Sequence, residues 1–227
     1  MKRFFKLSLP ILLILGVFLY AGCGNKPAVE EKKTESQKQS LGGLTKENPI
    51  KVNKADGTVT FLAEVNGKYF YEATRHGAAF KDGSNGEKAI FRGMVNTEPF
   101  YNGLIELGAK AGNNMTMDNK EKTNVAGDPL DVSVTWDGAS KEYKLAEIVK
   151  DSNAKPFDVR FGGNITASLD KKTGCLICLD SCPVGITSNA TYTYGAVEKR
   201  KEVGFTSNKD VLPADGTLVA VKLTFKK

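Results

Sequence analysis

Three cysteines fall close together late in the chain, in Thr173-Gly174-Cys175-Leu176-Ile177-Cys178-Leu179-Asp180-Ser181-Cys182-Pro183. Their spacing is C-x2-C-x3-C, with a proline after the last. On a helix, Cys175, Cys178 and Cys182 would share one face. In a tight loop, the first pair could grip one ion from both ends of a turn. Either geometry suits thiolate binding of a soft metal centre.

The run matches the last three cysteines and the proline of the bacterial ferredoxin pattern C-x2-C-x2-C-x3-C-P, with Lys172 where the first cysteine would stand. Three readings follow. In the first, Cys175, Cys178 and Cys182 hold a [4Fe–4S] cluster or another thiolate-bound metal. The single histidine, His76 in Thr74-Arg75-His76-Gly77, could then complete the site, with Asp180 a poorer candidate. In the second, two of the three form an exchanging disulfide and leave one thiol. In the third, the cysteines only brace a binding domain.

Other chemistry has less to stand on. Met115 and Met117 beside Asn113-Asn114 could bind a soft ion, but methionine commonly fills gaps in a core. Gly162-Gly163 could admit a cofactor, yet a turn explains it equally well. There is no phosphate loop and no dinucleotide fingerprint. With one histidine, a hydrolytic triad would have to be built around His76, and no nucleophile elbow accompanies it.

The elements that must position these groups read as follows. Ile50–Asn53 alternates apolar and polar residues, and Thr58 to Val65 has strand composition. Asn66-Gly67 followed by Lys68-Tyr69-Phe70-Tyr71 predicts a hairpin, because both turn positions tolerate positive φ. Ala89 to Arg92 is another strand. Thr97-Glu98-Pro99 reads as a helix start capped by Thr97, with Phe100, Leu104, Ile105 and Leu107 as its apolar face and Gly108 as its end. Asp131 to Trp136 and Leu218 to Phe225 read as strands; Tyr143 to Val149 is a strand or a short helix. Gly195 to Val197 and Val203 to Phe205 are strand-like. The fold class is therefore α+β: mainly antiparallel sheet with one or two helices.

Composition places the chain among ordinary globular proteins: 227 residues, 41% hydrophobic and 26% charged, with net charge +6. The beginning is distinctive. Met1 to Lys6 is basic, Leu7 to Leu19 is almost wholly apolar, and Tyr20-Ala21-Gly22 leads into Cys23. This is the layout of an export signal. It also resembles the bacterial lipobox, with Tyr20 where an aliphatic residue is usual. Residues 1–22 are thus expected to be removed and Cys23 lipidated. Loss of Lys2, Arg3 and Lys6 lowers +6 to +3, a balance that calls for no nucleic acid. Residues 23–48, rich in Lys, Glu, Ser and Gln, read as the lipidated cysteine and a flexible linker. Residues 49–227 are expected to form one domain.

Lys2-Arg3 is not a twin-arginine signal, so the chain should cross the membrane unfolded and would take up any metal outside the cytoplasm. The expected location is the bacterial cell envelope, on the extracytoplasmic face. The partners are then the lipid membrane, through acylated Cys23, and a redox partner within it.

Arg160-Phe161-Gly162-Gly163-Asn164, the cysteine run, Ser188-Asn189-Ala190-Thr191-Tyr192 and Asn208-Lys209-Asp210-Val211-Leu212-Pro213 together resemble the YdjY-domain family from about Asn48 to Phe225. That resemblance implies a ferredoxin-like cysteine run but brings no established reaction, substrate or catalytic residue. The expectation is a redox or electron-carrying module, leaning away from an enzyme. The alternative is a solute-binding or adaptor lipoprotein.

Overall fold

In chain order the computed structural model, which describes residues 40–225, runs β1 (Ser40–Leu41), β2 (Leu44–Thr45), β3 (Ile50–Asn53), β4 (Thr58–Val65), β5 (His76–Phe80) and β6 (Ala89–Gly93). The helix α1 (Thr97–Glu106) follows, then β7 (Leu130–Trp136), β8 (Tyr143–Lys144), the short α2 (Leu145–Ile148) and β9 (Val149–Asp151). The last third holds β10 (Val159–Phe161), α3 (Ile165–Lys171), β11 (Cys175–Cys178), β12 (Thr187–Asn189), β13 (Phe205–Ser207) and β14 (Leu218–Phe225). The expected export segment, residues 1–22, and the expected lipidation site Cys23 lie outside the described residues.

One ten-stranded sheet dominates, ordered β10-β12-β11-β5-β6-β4-β14-β7-β8 with β3 also paired to β4. Most neighbours are antiparallel; β5 with β6 and β11 with β12 are parallel. The α+β class therefore stands, with three short helices among the described residues. The long central strands form where β-branched and aromatic residues alternate, as in Thr58-Val59-Thr60-Phe61 and Leu218-Val219-Ala220-Val221. Phe61, Val59, Val219, Val221 and Leu223 are buried in the main core, where α1 adds Phe100 and Leu104. Phe61 and Phe100 meet edge to face, 5.4 Å between ring centres. The sheet's other side carries a smaller cluster of Leu44, Leu62, Met94 and Ala220. Leu44 comes from the β1–β2 hairpin, so the last part of the expected linker is folded onto the sheet.

Several local expectations change. Gly67–Phe70 is a 3-10 turn and not the second arm of a hairpin. Asn66 has φ of −105°, and its side chain accepts from the Lys68 amide, which curls the chain away. β4 is already paired with β3, β14 and β6, so no partner edge remains for residues 68–71. The α1 cap is Asn96, whose Oδ1 takes the Thr97 amide at 2.6 Å. Within α1's expected apolar face, Ile105 is 44% exposed. Residues 143–149 form both readings in succession, β8 then α2. Gly195 to Val197 are turn, and only Phe205 of the 203–205 stretch lies in a strand.

Candidate metal centre

The cysteine run begins neither as a helix nor as a loop. Cys175 to Cys178 are β11, where residues three apart would ordinarily face opposite sides of the sheet. Two irregularities in the pairing with β5 undo that alternation. Cys175 lies opposite Ala79, Ile177 opposite Ala78 and Cys178 opposite His76, so each strand carries one extra residue. Bulges of this kind re-aim side chains. Here they bring His76, Cys175 and Cys178 together, with the imidazole and both sulfurs all within 4.8 Å of one another. The β5 extra residue is Gly77, whose Cβ would press on the Ile177 carbonyl oxygen at 3.2 Å.

Cys182 joins from the 179–186 connection between β11 and its parallel neighbour β12. The three cysteines form their own buried cluster, with Val184 packed against it. All three are unpaired thiols. His76 Nδ1 stands 3.7 Å from Cys175 Sγ, and Asn85 donates its side-chain N–H to the same sulfur at 3.3 Å. Hydrogen bonds from the Cys178 and Cys182 thiols hold Cys175 well below the usual thiol range. The same bonds, seen from the donor side, and burial push Cys178 up. Burial, and then neighbouring Arg75, push His76 down to about 4, so the imidazole is neutral at pH 7, as a metal ligand must be.

Asp180 is not available as a ligand. It is fully buried, and its carboxylate accepts from Arg75 Nη2 at 2.6 Å and from Arg75 Nε at 3.0 Å. The Gly195 amide adds a third donor at 3.2 Å. Burial lifts Asp180 to about 6 against the pull of Arg75, which leaves it anionic at neutral pH. The Arg75 guanidinium also lies 4.3 Å from the Tyr194 ring centre.

The supporting shell comes from the stretches noted in the sequence. Asn164 donates its side-chain amide to the carbonyls of Cys182, at 3.1 Å, and Gly185, at 3.2 Å, clamping the turn that carries the third cysteine. The Gly163 amide donates to the Ile186 carbonyl. Asn189 donates to the Leu179 carbonyl at 3.1 Å, and the Thr187 hydroxyl to that of Leu176 at 2.8 Å. A Cβ at Gly185 would stand 2.9 Å from both Cys178 Sγ and Ser188 Oγ. Asn85 is set by its loop, residues 81–88, where the Ser84 and Asn85 amides donate to the Lys172 and Thr173 carbonyls. Lys172 is the left-handed cap of α3 and supports the site through its backbone alone.

A cavity of about 280 Å³ opens beside this cluster, with His76, Asn85, Pro183 and Val184 in its lining. His76 and Asn85 both touch Cys175, so one layer of side chains separates that sulfur from the opening.

Of the four residues expected at a centre, His76, Cys175 and Cys178 bring possible ligand atoms within 4.8 Å of one another, and Cys182 packs against the two other cysteines. Met115 is buried in packing, and Met117 is exposed at the lining of the cavity. Trp136 stacks on Tyr143, ring centres 4.9 Å apart, away from the centre. Sequence reading did not pick out Asn85, Asn164, Asn189 or Gly185. Only the stretches around Asn164 and Asn189 carried a signal.

The YdjY domain model matches residues 50–224, which includes every residue of the site. The chain belongs to the YdjY-domain family. It is similar to the uncharacterized protein YdjY of Escherichia coli (strain K12), 52% identical over 221 residues, covering 97% of this chain and 95% of that protein. No solved structure matches. Membership in the YdjY-domain family accounts for the conjunction of motifs but assigns them no reaction.

Proposed function

We propose that Cys175, Cys178, Cys182 and His76 hold one soft transition-metal ion, and that this chain is an electron carrier tethered to the extracytoplasmic face of a membrane through acylated Cys23. The convergence of His76, Cys175 and Cys178 within 4.8 Å carries the reading. The fit can be tested on distances. A tetrahedral ion about 2.3 Å from sulfur and 2.0 Å from nitrogen has donors about 3.5–3.8 Å apart. The Cys175–His76 separation is 3.7 Å. The donors are soft thiolates and a neutral imidazole, which suits iron, copper or zinc over hard cations. When bound, iron or copper would supply one-electron chemistry. The protein's own part is to keep the imidazole neutral, exclude water by burial and fix the sulfurs through Asn164, Asn189 and Gly185.

A [4Fe–4S] cluster is the second reading, favoured by the C-x2-C-x3-C-P run. Its thiolates stand roughly 6 Å apart, wider than the Cys175–Cys178 pair at 4.8 Å or less, so that pair would have to separate. The full chain, purified in detergent without chelator, separates the two. One equivalent of iron or copper without sulfide, reversibly reduced and lost in Cys175→Ser and Cys178→Ser, is the expected result. Four irons with four sulfides would replace it by the cluster. Zinc alone, or a stable disulfide with no metal after anaerobic reconstitution, would overturn the electron-carrier reading. Acylation is tested by moving Cys23→Ser chains from the membrane to the soluble fraction.

A further inference from the structure

We infer that the cavity over Cys175 is a binding site for a small tetrahedral oxyanion, a function that goes beyond the metal reading and does not require it. The deciding group is Arg75. It is only 5% exposed and lines the cavity. Its Nε and Nη2 are both committed to Asp180, which fixes the plane of the guanidinium, and Tyr194 covers one face. Among the described residues, Nη1 has no hydrogen-bond partner. A buried arginine held rigidly by a carboxylate and a ring, with one amino group left over beside an opening, is prearranged to receive an oxygen acceptor.

The rim agrees. Lys88 and Lys171 also line the cavity, against a single carboxylate there, Glu198. Lys88 leans on Asn85 Oδ1 at 3.2 Å, while Lys171 has no partner among the described residues. Three cations therefore face one rim carboxylate, with Asp180 spent on Arg75 from behind. The volume, about 280 Å³, lies at the small end of the range for ligand sites. It has room for sulfate or phosphate. An anion there would sit across His76 and Asn85 from Cys175, one side chain from the metal donors.

The test is calorimetric titration of the full chain with sodium sulfate and sodium phosphate at low ionic strength, with metal content measured on the same samples. Saturable one-to-one binding is expected in both metal-loaded and metal-free protein, so its success or failure is read separately from that of the metal. Arg75 is left intact because its loss would strand Asp180. Instead Lys88→Ala and Lys171→Ala, both exposed, should each weaken binding by about threefold or more, and Glu198→Gln should tighten it by a similar factor. Absence of saturation, equal displacement by chloride at matched ionic strength, or indifference to all three substitutions would overturn the proposal.

Discussion

At the scale of single residues, the centre rests on a charge arrangement that packing alone would not choose. Arg75 and Asp180 form a buried pair, 5% and 0% exposed, beneath the cysteines. Removing one partner leaves the other charge buried and alone, at a cost of about 3–5 kcal/mol. Arg75→Met should therefore destabilise the chain by about that much in urea unfolding. Arg75→Met with Asp180→Leu should cost clearly less than the two single changes combined; strict additivity would show that the pair is not coupled. Ser188 offers the opposite sign. Its hydroxyl is fully buried with no hydrogen-bond partner. Ser188→Ala removes an unpaid desolvation cost and should be neutral or stabilising by up to about 1 kcal/mol in metal-free protein. A loss of stability would mean that the hydroxyl has a partner in solution.

At the scale of elements, what matters is how a strand comes to offer two cysteines on one side. The paired bulges at Leu176–Ile177 and Gly77 do this, and no periodicity in Cys175-Leu176-Ile177-Cys178 announces them. The donor types and their spacing were legible in the sequence; the strand was not, because the bulge depends on β5, a hundred residues earlier. The same holds for Asn66-Gly67, a good turn signal whose outcome was decided by a neighbouring edge already in use. The strands β4, β7 and β14 were each legible because their alternation is local. At the 182–185 turn, Gly185 leaves room for one sulfur and no more. Gly185→Ala should displace Cys178 or the turn, cost about 1–3 kcal/mol, and lower metal stoichiometry. Asn164→Ala should lower metal affinity about 10–100-fold, as loss of a supporting hydrogen-bond partner does. Unchanged metal content in both variants would show that the shell does not position the sulfurs.

At the scale of the whole molecule, the sheet carries unequal layers. The large core and the three helices lie apart from the smaller cluster that the β1–β2 hairpin closes through Leu44. Leu44→Ala should cost about 2–4 kcal/mol in chemical denaturation, a size that an unstructured linker residue would not show. An effect within experimental error would return residues 40–45 to the linker.

The position of β14 has its own consequence. The strand nearest the C-terminus lies in the interior of the sheet, hydrogen-bonded to β4 on one side and β7 on the other. Removing residues 218–225 would not trim an edge but cut the sheet into two halves. Until those residues have been made and threaded into place, a nascent chain lacks the seam that joins its early strands to its later ones.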